Sequence, residues 1–389
     1  MSARKTVVFA VLTVSLCGCI SLLIAEFAVR VFWPPSAWKL PERLYDVDPD
    51  LGWAYKRNAH STGVIGDKGH QIDLRTNDDG VTPVDSLRQR QPGLMRIMLF
   101  GDSGVIGRGV PDSERVHRHL QRVLGERGIQ AEVINAAVEG YATDQSLLMM
   151  KKLMPLYKPD VALYGLCSND IDGNLERVAH GMPKPIFWLT RSGSLTLESP
   201  NPELVDYIRN IMRSTSKPPL LQRSAVYQIL RPATRQVRSW LQHLRGIDDP
   251  PDLWVTRMFF DEQVLQQMGT QMELLEALLK EMRITATANG ARFLLYSHPS
   301  LEETWDPRIK DLERRYQLKP GSYNRWAFEA TMKKLGSEAG VTYCPAVAHF
   351  VRNQSQGPFH LLPDPHCNAV GYRLTAEVLN DCVIRLILK

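Results

Sequence analysis

From residue 95 onward the sequence alternates between short apolar runs and amphipathic segments, and this alternation strongly constrains the fold. Strands that alternate with helices form parallel sheets covered by helices on both faces. The sequence therefore predicts an α/β fold with a five-stranded parallel sheet. The five runs that read as buried strands are MRIMLFGD (95–102), AEVINAAV (131–138), DVALYGL (160–166), ARFLLYSH (291–298) and VTYCPAV (341–347).

Amphipathic segments between and after these runs predict the covering helices, and two of them are RVHRHLQRVLGERG (115–128) and TDQSLLMMKKLMPLY (143–157). The final helix is predicted over 369–388. One long helix with Asp261 as N-cap is predicted before the fourth strand. Apolar residues recur along it at helical spacing, which is typical of a face packed on the core. They are Leu265, Met268, Met272, Leu275, Leu279 and Met282.

The chain divides by composition into three predicted regions. Residues 1–35 form an N-terminal transmembrane signal-anchor, and residues 36–92, rich in Pro, Gly, Asp and Asn, form a linker and a short lead-in segment. Residues 93–389 form the α/β domain. The strand–helix alternation stops over 172–257, which contains many prolines and is interpreted as an insertion into that domain.

The N-terminal region carries a run of twenty uncharged residues, TVVFAVLTVSLCGCISLLIA (6–25). At about 1.5 Å per residue this run spans a hydrocarbon core of roughly 30 Å. A cleavable signal peptide and a lipoprotein signal at Cys19 are the alternatives, but the run continues into EFAVRVFW without an Ala-x-Ala-like site. We therefore expect a single-pass membrane helix. Basic residues flank both of its ends, so charge leaves the orientation open; the short N-terminal tail and the large following domain favour an extracytoplasmic domain.

Charge and motif content exclude several classes of function. The net charge of +5 is small and spread along the chain, so nucleic acid is not an expected partner. Neither a nucleotide-binding glycine pattern nor a metal-binding cluster occurs in the sequence, so no cofactor and no metal are expected. Six cysteines are present; one bridge among the last four is compatible with export, but their spacing does not identify it.

Polar residues follow three predicted strands directly, and a fourth polar group precedes the last helix. Ligands of parallel sheets bind at the carboxyl ends of the strands, so these four groups are expected to converge on one edge of the sheet. The groups are Gly101-Asp102-Ser103, Glu139-Gly140-Tyr141, Ser168-Asn169-Asp170 and Asp364-Pro365-His366.

These residue types are complementary in chemistry. A serine hydroxyl becomes nucleophilic when a neighbouring base takes its proton, and His366 is suited to accept the proton of Ser103. Asp364 could orient the imidazole and stabilise its charged form. The oxyanion of an acyl-transfer intermediate needs hydrogen-bond donors, which the backbone N–H groups of Ser103 and Gly140 and the side-chain amide of Asn169 could supply.

The four motifs, in this order, resemble those of the SGNH (GDSL-type) hydrolases. They read FGDSGVIG, NAAVEGYATDQ, CSNDIDGN and DPHCNAVGYRLTAEVL, and the resemblance covers roughly residues 95–170 and 259–388. It implies a flavodoxin-like three-layer α/β/α fold and ester hydrolysis or, in some members, acyl transfer. It also implies Ser103, His366 and Asp364 as catalytic residues, with Ser103, Gly140 and Asn169 forming the oxyanion hole.

Two positions depart from the family pattern. Relatives often carry a bulkier residue where this chain has Gly104, which predicts an open wall beside the nucleophile. Many relatives place the acid three residues before the histidine, where this chain has Pro363; the near acid is Asp364, two residues away. Two neighbouring residues are interpreted as structural: Asp102 as a hydrogen-bonding partner within the serine turn, and His298 as a buried or capping histidine rather than a substrate contact.

The sequence thus favours a membrane-anchored serine esterase acting on O-acyl or O-acetyl esters, with cell-surface glycans as candidate substrates. Two alternatives use the same fold. One is an O-acyltransferase in which a glycan hydroxyl replaces water as acceptor, and the other is a non-catalytic surface module that binds without turnover. The insertion at 172–257 is the expected source of specificity.

Overall fold

The computed structural model describes residues 3–32, 44–65, 70–83, 85–214, 224, 226, 262–315, 317–361 and 365–388. The chain forms two compact units. One comprises Met1–Leu40 and Ile211–Pro250, and the other comprises Pro41–Asn210 and Pro251–Lys389. The candidate site residues all belong to the second, larger unit.

The smaller unit contains helix α1 (Ala3–Phe32). Its segment Leu12–Val29 has a mean hydropathy of 2.1 and no buried side chains, and it is the one helix among the described residues that is long and apolar enough to cross a membrane. Within the same unit the Glu26 carboxylate accepts hydrogen bonds from Ser224 Oγ at 2.9 Å and from the backbone N–H of Val226 at 3.2 Å. An apolar N-terminal helix is therefore confirmed; a membrane anchor and a signal sequence both have this form.

Two antiparallel hairpins of the larger unit lie in the region predicted as a linker and short lead-in segment. Strand β1 (Tyr45–Asp48) pairs with β2 (Gly52–Tyr55), and β3 (His60–Ile65) pairs with β4 (His70–Arg75). Several of the apolar side chains in this region are buried in the core of the larger unit, so the hairpins pack as part of that core. They are Leu51, Trp53, Tyr55, Leu74 and Val81.

Five parallel strands form the central sheet, which confirms the predicted fold class. The strands are β5 (Met95–Gly101), β6 (Ala131–Asn135), β7 (Val161–Leu166), β12 (Arg292–Ser297) and β13 (Thr342–Tyr343), in the order β13-β12-β7-β5-β6. All four pairs of neighbouring strands in this sheet are parallel. The fifth strand is only two residues long, shorter than the seven residues predicted, and a helix begins at Val347.

Strand β5 occupies the point where the chain reverses its direction across the sheet. The chain leaves β5 for the edge strand β6 on one side and then returns to β7 on the other side. Connections that leave in opposite directions open a crevice beyond the carboxyl end of the strand, and parallel α/β sheets bind their ligands in such crevices. This topology places the turn after β5, which contains Ser103, at the expected binding position.

The helices, numbered in chain order, are α2 (Ser103–Ile106), α3 (Val116–Glu126), α4 (Thr143–Tyr157), α5 (Asn169–Gly173), α6 (Pro202–Ser214), α7 (Glu262–Gln267), α8 (Gly269–Ala288), α9 (Leu301–Thr304), α10 (Asp306–Arg315), α11 (Ala327–Glu338), α12 (Val347–Arg352) and α13 (Ala369–Ile387). Helix α3 packs against α13, and α4 packs against α8. The predicted long helix is divided at Met268 into α7 and α8, and Asp261 lies outside the described residues. Leu275, Leu279 and Met282 are fully buried, which confirms that their face packs on the core.

The predicted insertion contributes two further hairpins and helix α6. Strand β8 (Val178–Ala179) pairs with β9 (Met182–Pro183), and β10 (Ile186–Leu189) pairs with β11 (Leu195–Glu198). The remainder of the predicted insertion lies mostly outside the described residues.

A disulfide bond connects Cys344, just after β13, to Cys382 in α13, with 6.0 Å between their Cα atoms. The sequence left open whether any of the last four cysteines pair. This bridge links an edge strand to the helix that follows the predicted catalytic histidine.

Candidate active site

The nucleophile turn is built from residues adjacent in the chain. Strand β5 ends at Gly101, where φ is +149°, and a methyl group on Gly101 would lie 2.7 Å from the carbonyl oxygen of Gly165 on the neighbouring strand. Only glycine fits so close an approach of two strands. Asp102 is the N-cap of α2, and its carboxylate accepts the backbone N–H of Gly104 at 2.8 Å. Ser103, the first residue of α2, therefore lies at the carboxyl end of β5.

His366 lies within hydrogen-bond distance of Ser103, although the two residues are far apart in the sequence. The distance between His366 Nε2 and Ser103 Oγ is 2.8 Å, although 263 residues separate them. The backbone of Leu361 donates to the carbonyl oxygen of His366 at 2.8 Å. Asn368 caps α13 by accepting the N–H of Gly371 at 3.0 Å. These bonds hold the histidine loop at the start of the last helix.

Asp364, the predicted orienting acid, lies outside the described residues, as does Pro363. The assignment of Asp364 therefore stays a prediction.

Gly140 lies in a tight loop after β6 with φ of +76°, a conformation that favours glycine. The first hairpin holds this loop. The Trp53 indole N–H donates to the carbonyl oxygen of Glu139 at 3.0 Å, and the Tyr55 hydroxyl accepts the N–H of Glu139 at 3.3 Å. The hydroxyl of Tyr141 donates to the Trp53 carbonyl oxygen at 2.5 Å. Sequence reasoning missed these contacts because hairpin and loop are about ninety residues apart.

Asn169 is the first residue of α5, and its side-chain amide donates to Asp102 Oδ2 at 3.2 Å. The Cys167 thiol donates to the other carboxylate oxygen of Asp102 at 3.0 Å. Asp102 is only 2% exposed and thus joins the nucleophile turn to the loop after β7. The sequence identified Asp102 only as a turn residue, because its partners come from a different strand.

The predicted open wall at Gly104 is wrong. A methyl group on Gly104 would lie 2.9 Å from Cys167 Sγ and 3.1 Å from His298 Cδ2, so side chains from two neighbouring strand ends already fill this space. The glycine is needed because the nucleophile turn packs closely against them. It does not provide extra room for substrate.

His298 and the two free cysteines near the site stay uncharged. Burial and the neighbouring His360 and His366 lower the pKa of His298 to about 3. Burial and the Asp102 carboxylate raise the pKa of the Cys167 thiol well above its ordinary value, and burial alone raises that of Cys367. Thiols with raised pKa values are poor nucleophiles at neutral pH, so neither cysteine competes with Ser103.

A buried polar network lies beneath the Gly140 and Asn169 loops. The Tyr164 hydroxyl contacts Thr143 Oγ1 at 2.9 Å and Asp170 Oδ2 at 2.8 Å, which joins the start of α4 to α5. Lys184 from the predicted insertion forms a fully buried ion pair with Asp144 of α4 at 2.5 Å. Burial raises the pKa of Asp144 to about 6, opposed by the Lys184 charge. These buried contacts thus hold the residues that directly follow Gly140 and Asn169 in the chain.

The fold resembles several solved structures at low sequence identity. TesA is 14% identical, with a TM-score of 0.38, and the match covers 75% of this chain and 99% of that one. The psychrotrophic esterase EstA from Pseudoalteromonas sp. is 13% identical, with a TM-score of 0.36 and coverage of 76% and 99%. The acetyl xylan esterase AlAXEase is 13% identical, with a TM-score of 0.37 and coverage of 74% and 100%. None of the curated proteins matches the sequence.

A family model describes the sequence more directly. The GDSL-like Lipase/Acylhydrolase family matches residues 99–374, which is well over half of the chain and includes the turn after β5, the loops after β6 and β7 and the start of the last helix. The protein therefore belongs to the GDSL-like lipase/acylhydrolase family and is a serine ester hydrolase.

Proposed function

We propose that this protein is a membrane-anchored serine esterase that hydrolyses O-acyl or O-acetyl esters, with Ser103 as nucleophile and His366 as base. The observation that supports it most is the 2.8 Å contact between His366 Nε2 and Ser103 Oγ at the carboxyl end of β5. A serine within hydrogen-bond reach of a histidine is the geometry of an activated nucleophile.

In the proposed reaction, His366 Nε2 takes the Ser103 proton as Oγ attacks the ester carbonyl carbon. The resulting tetrahedral intermediate collapses when the protonated imidazole gives its proton to the leaving alcohol. Water then repeats the sequence on the acyl-enzyme and releases the acid. Asp364, two residues before His366, is proposed to hold the imidazole in the tautomer that accepts the proton at Nε2.

The oxyanion would be bound by the backbone N–H groups of Ser103 and Gly140 and by the Asn169 side chain. An amide nitrogen carries two hydrogens, so Asn169 can donate one to Asp102, as it does at 3.2 Å, and direct the other toward the oxyanion. Loss of one such donor typically costs about 3 kcal/mol of transition-state stabilisation. Asp102 is thereby proposed as the residue that positions the Asn169 donor.

Two observations support an extracytoplasmic, membrane-attached enzyme. Helix α1 contains the apolar segment Leu12–Val29, and the larger unit carries the Cys344–Cys382 disulfide. Disulfides persist in oxidising compartments and are rare in the cytosol. We therefore place the hydrolase domain outside the cytoplasm, where acylated cell-surface glycans are candidate substrates.

The test compares the full-length protein in detergent with Ser103→Ala and His366→Ala on 4-nitrophenyl acetate. We expect kcat to fall by about four orders of magnitude or more in each variant, because nucleophile and base act as a unit. Asp364→Asn is expected to lose activity in the same direction. Ser113→Ala, at an exposed position between α2 and α3, is the matched control and should behave as the wild type.

Turnover by Ser103→Ala at the wild-type rate would contradict the proposed mechanism. Analysis of the products with and without a sugar acceptor separates hydrolysis from acyl transfer, and we expect free acetate in both cases.

A further inference from the structure

His180 lies over the glycine of the proposed oxyanion hole. A methyl group built on Gly140 would lie 2.5 Å from both Cδ2 and Nε2 of His180 and 3.4 Å from Cζ2 of Trp53. The rings of Trp53 and His180 meet edge to face, with their centroids 6.1 Å apart. His180 is exposed to solvent beside the loop that contains Gly140.

The His180 ring is carried by the tight turn between β8 and β9. His180 and Gly181 are the two residues between β8 and β9, and both have positive φ values, +53° and +75°. Two-residue hairpin turns of this form favour Asn-Gly or Asp-Gly, and histidine is among the other residues that recur in the left-handed region. The turn places the His180 side chain against Gly140, and this contact makes His180 a candidate for a functional residue.

The rest of the domain holds the hairpin in place. A methyl group on Gly52 of β2 would lie 2.1 Å from the carbonyl oxygen of Pro183, so β9 packs directly on the first hairpin. One residue further, Lys184 makes the buried ion pair with Asp144 and donates to the carbonyl oxygen of Gly173 at 2.8 Å. These contacts hold the hairpin just after the turn that carries His180.

The surroundings of this ring are polar. Glu139, next to Gly140 in the chain, accepts a hydrogen bond from the Tyr45 hydroxyl, and its other carboxylate oxygen lies 3.8 Å from Arg108 Nε. All three side chains are partly exposed. The carboxylate, guanidinium and phenol groups on and around Glu139, together with the His180 imidazole beside Gly140, offer hydrogen bonds to hydroxyl groups rather than an apolar surface for a long acyl chain.

We propose that His180 contacts the alcohol part of the bound ester beside the oxyanion hole and selects alcohols that carry further hydroxyl groups. This inference rests on the proposed esterase function and assigns part of its specificity to the predicted insertion. An imidazole can donate from one ring nitrogen and accept at the other, so it can pair with neighbouring hydroxyls of a sugar.

The test uses His180→Asn in the full-length protein. Asparagine suits the left-handed turn position, so the hairpin should fold, but its side chain is too short to replace the ring over Gly140. Two acetate esters with comparable alkoxide leaving groups are compared, a mono-O-acetylated methyl glucoside with free hydroxyls and ethyl acetate without them. We expect the wild type to prefer the sugar ester, and His180→Asn to lower that preference, measured as the ratio of kcat/KM values, about tenfold.

Equal losses on the two esters would overturn the proposal, because they would show that the ring only supports the Gly140 loop. An unchanged ratio, or a wild type without preference for the sugar ester, would overturn it as well. Val178→Thr, an exposed position on the same hairpin, should leave the ratio unchanged. Failure of the esterase assignment is distinguishable, since the wild type would then lack Ser103-dependent turnover of 4-nitrophenyl acetate.

Discussion

The two halves of the candidate site are held in different ways. The nucleophile turn depends on its own chain neighbours and on the adjacent strand, through the Asp102 cap and the close approach of Gly101 to Gly165. The loop around Gly140 depends on side chains 84 to 94 residues earlier in the chain, among them Trp53 and Tyr55. The half that provides the nucleophile is thus a property of the parallel sheet, whereas the half proposed to bind the oxyanion depends on hairpins added to that sheet.

Asp102→Ala tests the nucleophile half and should lower activity more than Trp53→Phe or removal of the disulfide. It removes the acceptor for Gly104 N–H, the Cys167 thiol and the Asn169 amide at once. Loss of an N-cap costs about 1 kcal/mol, and each buried donor left unpaired adds about 1–3 kcal/mol. We expect kcat/KM to fall at least a hundredfold and the free energy of unfolding to fall by several kcal/mol, measured by ester hydrolysis and urea denaturation.

Asp102→Asn keeps one acceptor oxygen for the cap and should lie between the wild type and Asp102→Ala. Asp85→Ala, at an exposed acidic position, is the matched control. If Asp102→Ala kept full activity, Asp102 would not be needed to hold the nucleophile turn. The proposed difference between a turn held by its chain neighbours and an oxyanion loop held by distant residues would then be contradicted.

Trp53→Phe tests the oxyanion half. It keeps an aromatic ring but removes the N–H that donates to the carbonyl oxygen of Glu139 at 3.0 Å. A displaced Gly140 N–H weakens binding of the transition state more than binding of the substrate, so we expect kcat to fall about tenfold with KM changed less than twofold. The free energy of unfolding should fall by about 1 kcal/mol.

Trp188→Phe is the matched control, because the Trp188 indole N–H also donates a hydrogen bond, at 2.8 Å to Glu198 on an exposed hairpin. If Trp53→Phe and its control had the same kcat, the first hairpin would not position the oxyanion loop.

The double substitution Cys344→Ala and Cys382→Ala should alter stability without altering either half of the site. The bridge closes a loop with a sequence separation of 38 residues, and the chain-entropy account gives about 4 kcal/mol for a loop of this size. We expect the free energy of unfolding to fall by about 3–4 kcal/mol, with kcat within twofold of the wild type. Dithiothreitol should lower the stability of the wild type alone; a comparable drop in the double variant would contradict a stabilising disulfide.

Much of the framework could be predicted from the residues. Buried runs such as 95–102 and 160–166 indicated the strands, and the order of the polar groups after them indicated the family and the meeting of Ser103 with His366. These features are encoded locally, by apolar periodicity and by small residues at strand ends, and the rule for parallel sheets then brings the strand ends together.

Other features had no local signal. The open wall inferred at Gly104 was wrong because Cys167 and His298 reach that space from other strands. The role of Asp102 as a shared acceptor depends on Asn169, which the chain places 67 residues later. Nothing in the composition of residues 44–55 distinguishes a tether from a hairpin that supports an active-site loop.

By itself, the sequence determined the α/β fold and the apolar N-terminal helix, and it identified Ser103 and His366 as parts of the motifs of one family. Only the tertiary structure decided which side chains surround Gly140, that Cys344 pairs with Cys382, and that His180 lies beside the proposed oxyanion hole. The physical reason is the range of the interactions. Strands and helices follow from periodicities a few residues long, whereas the contacts that complete the site join segments that only the folded chain brings together.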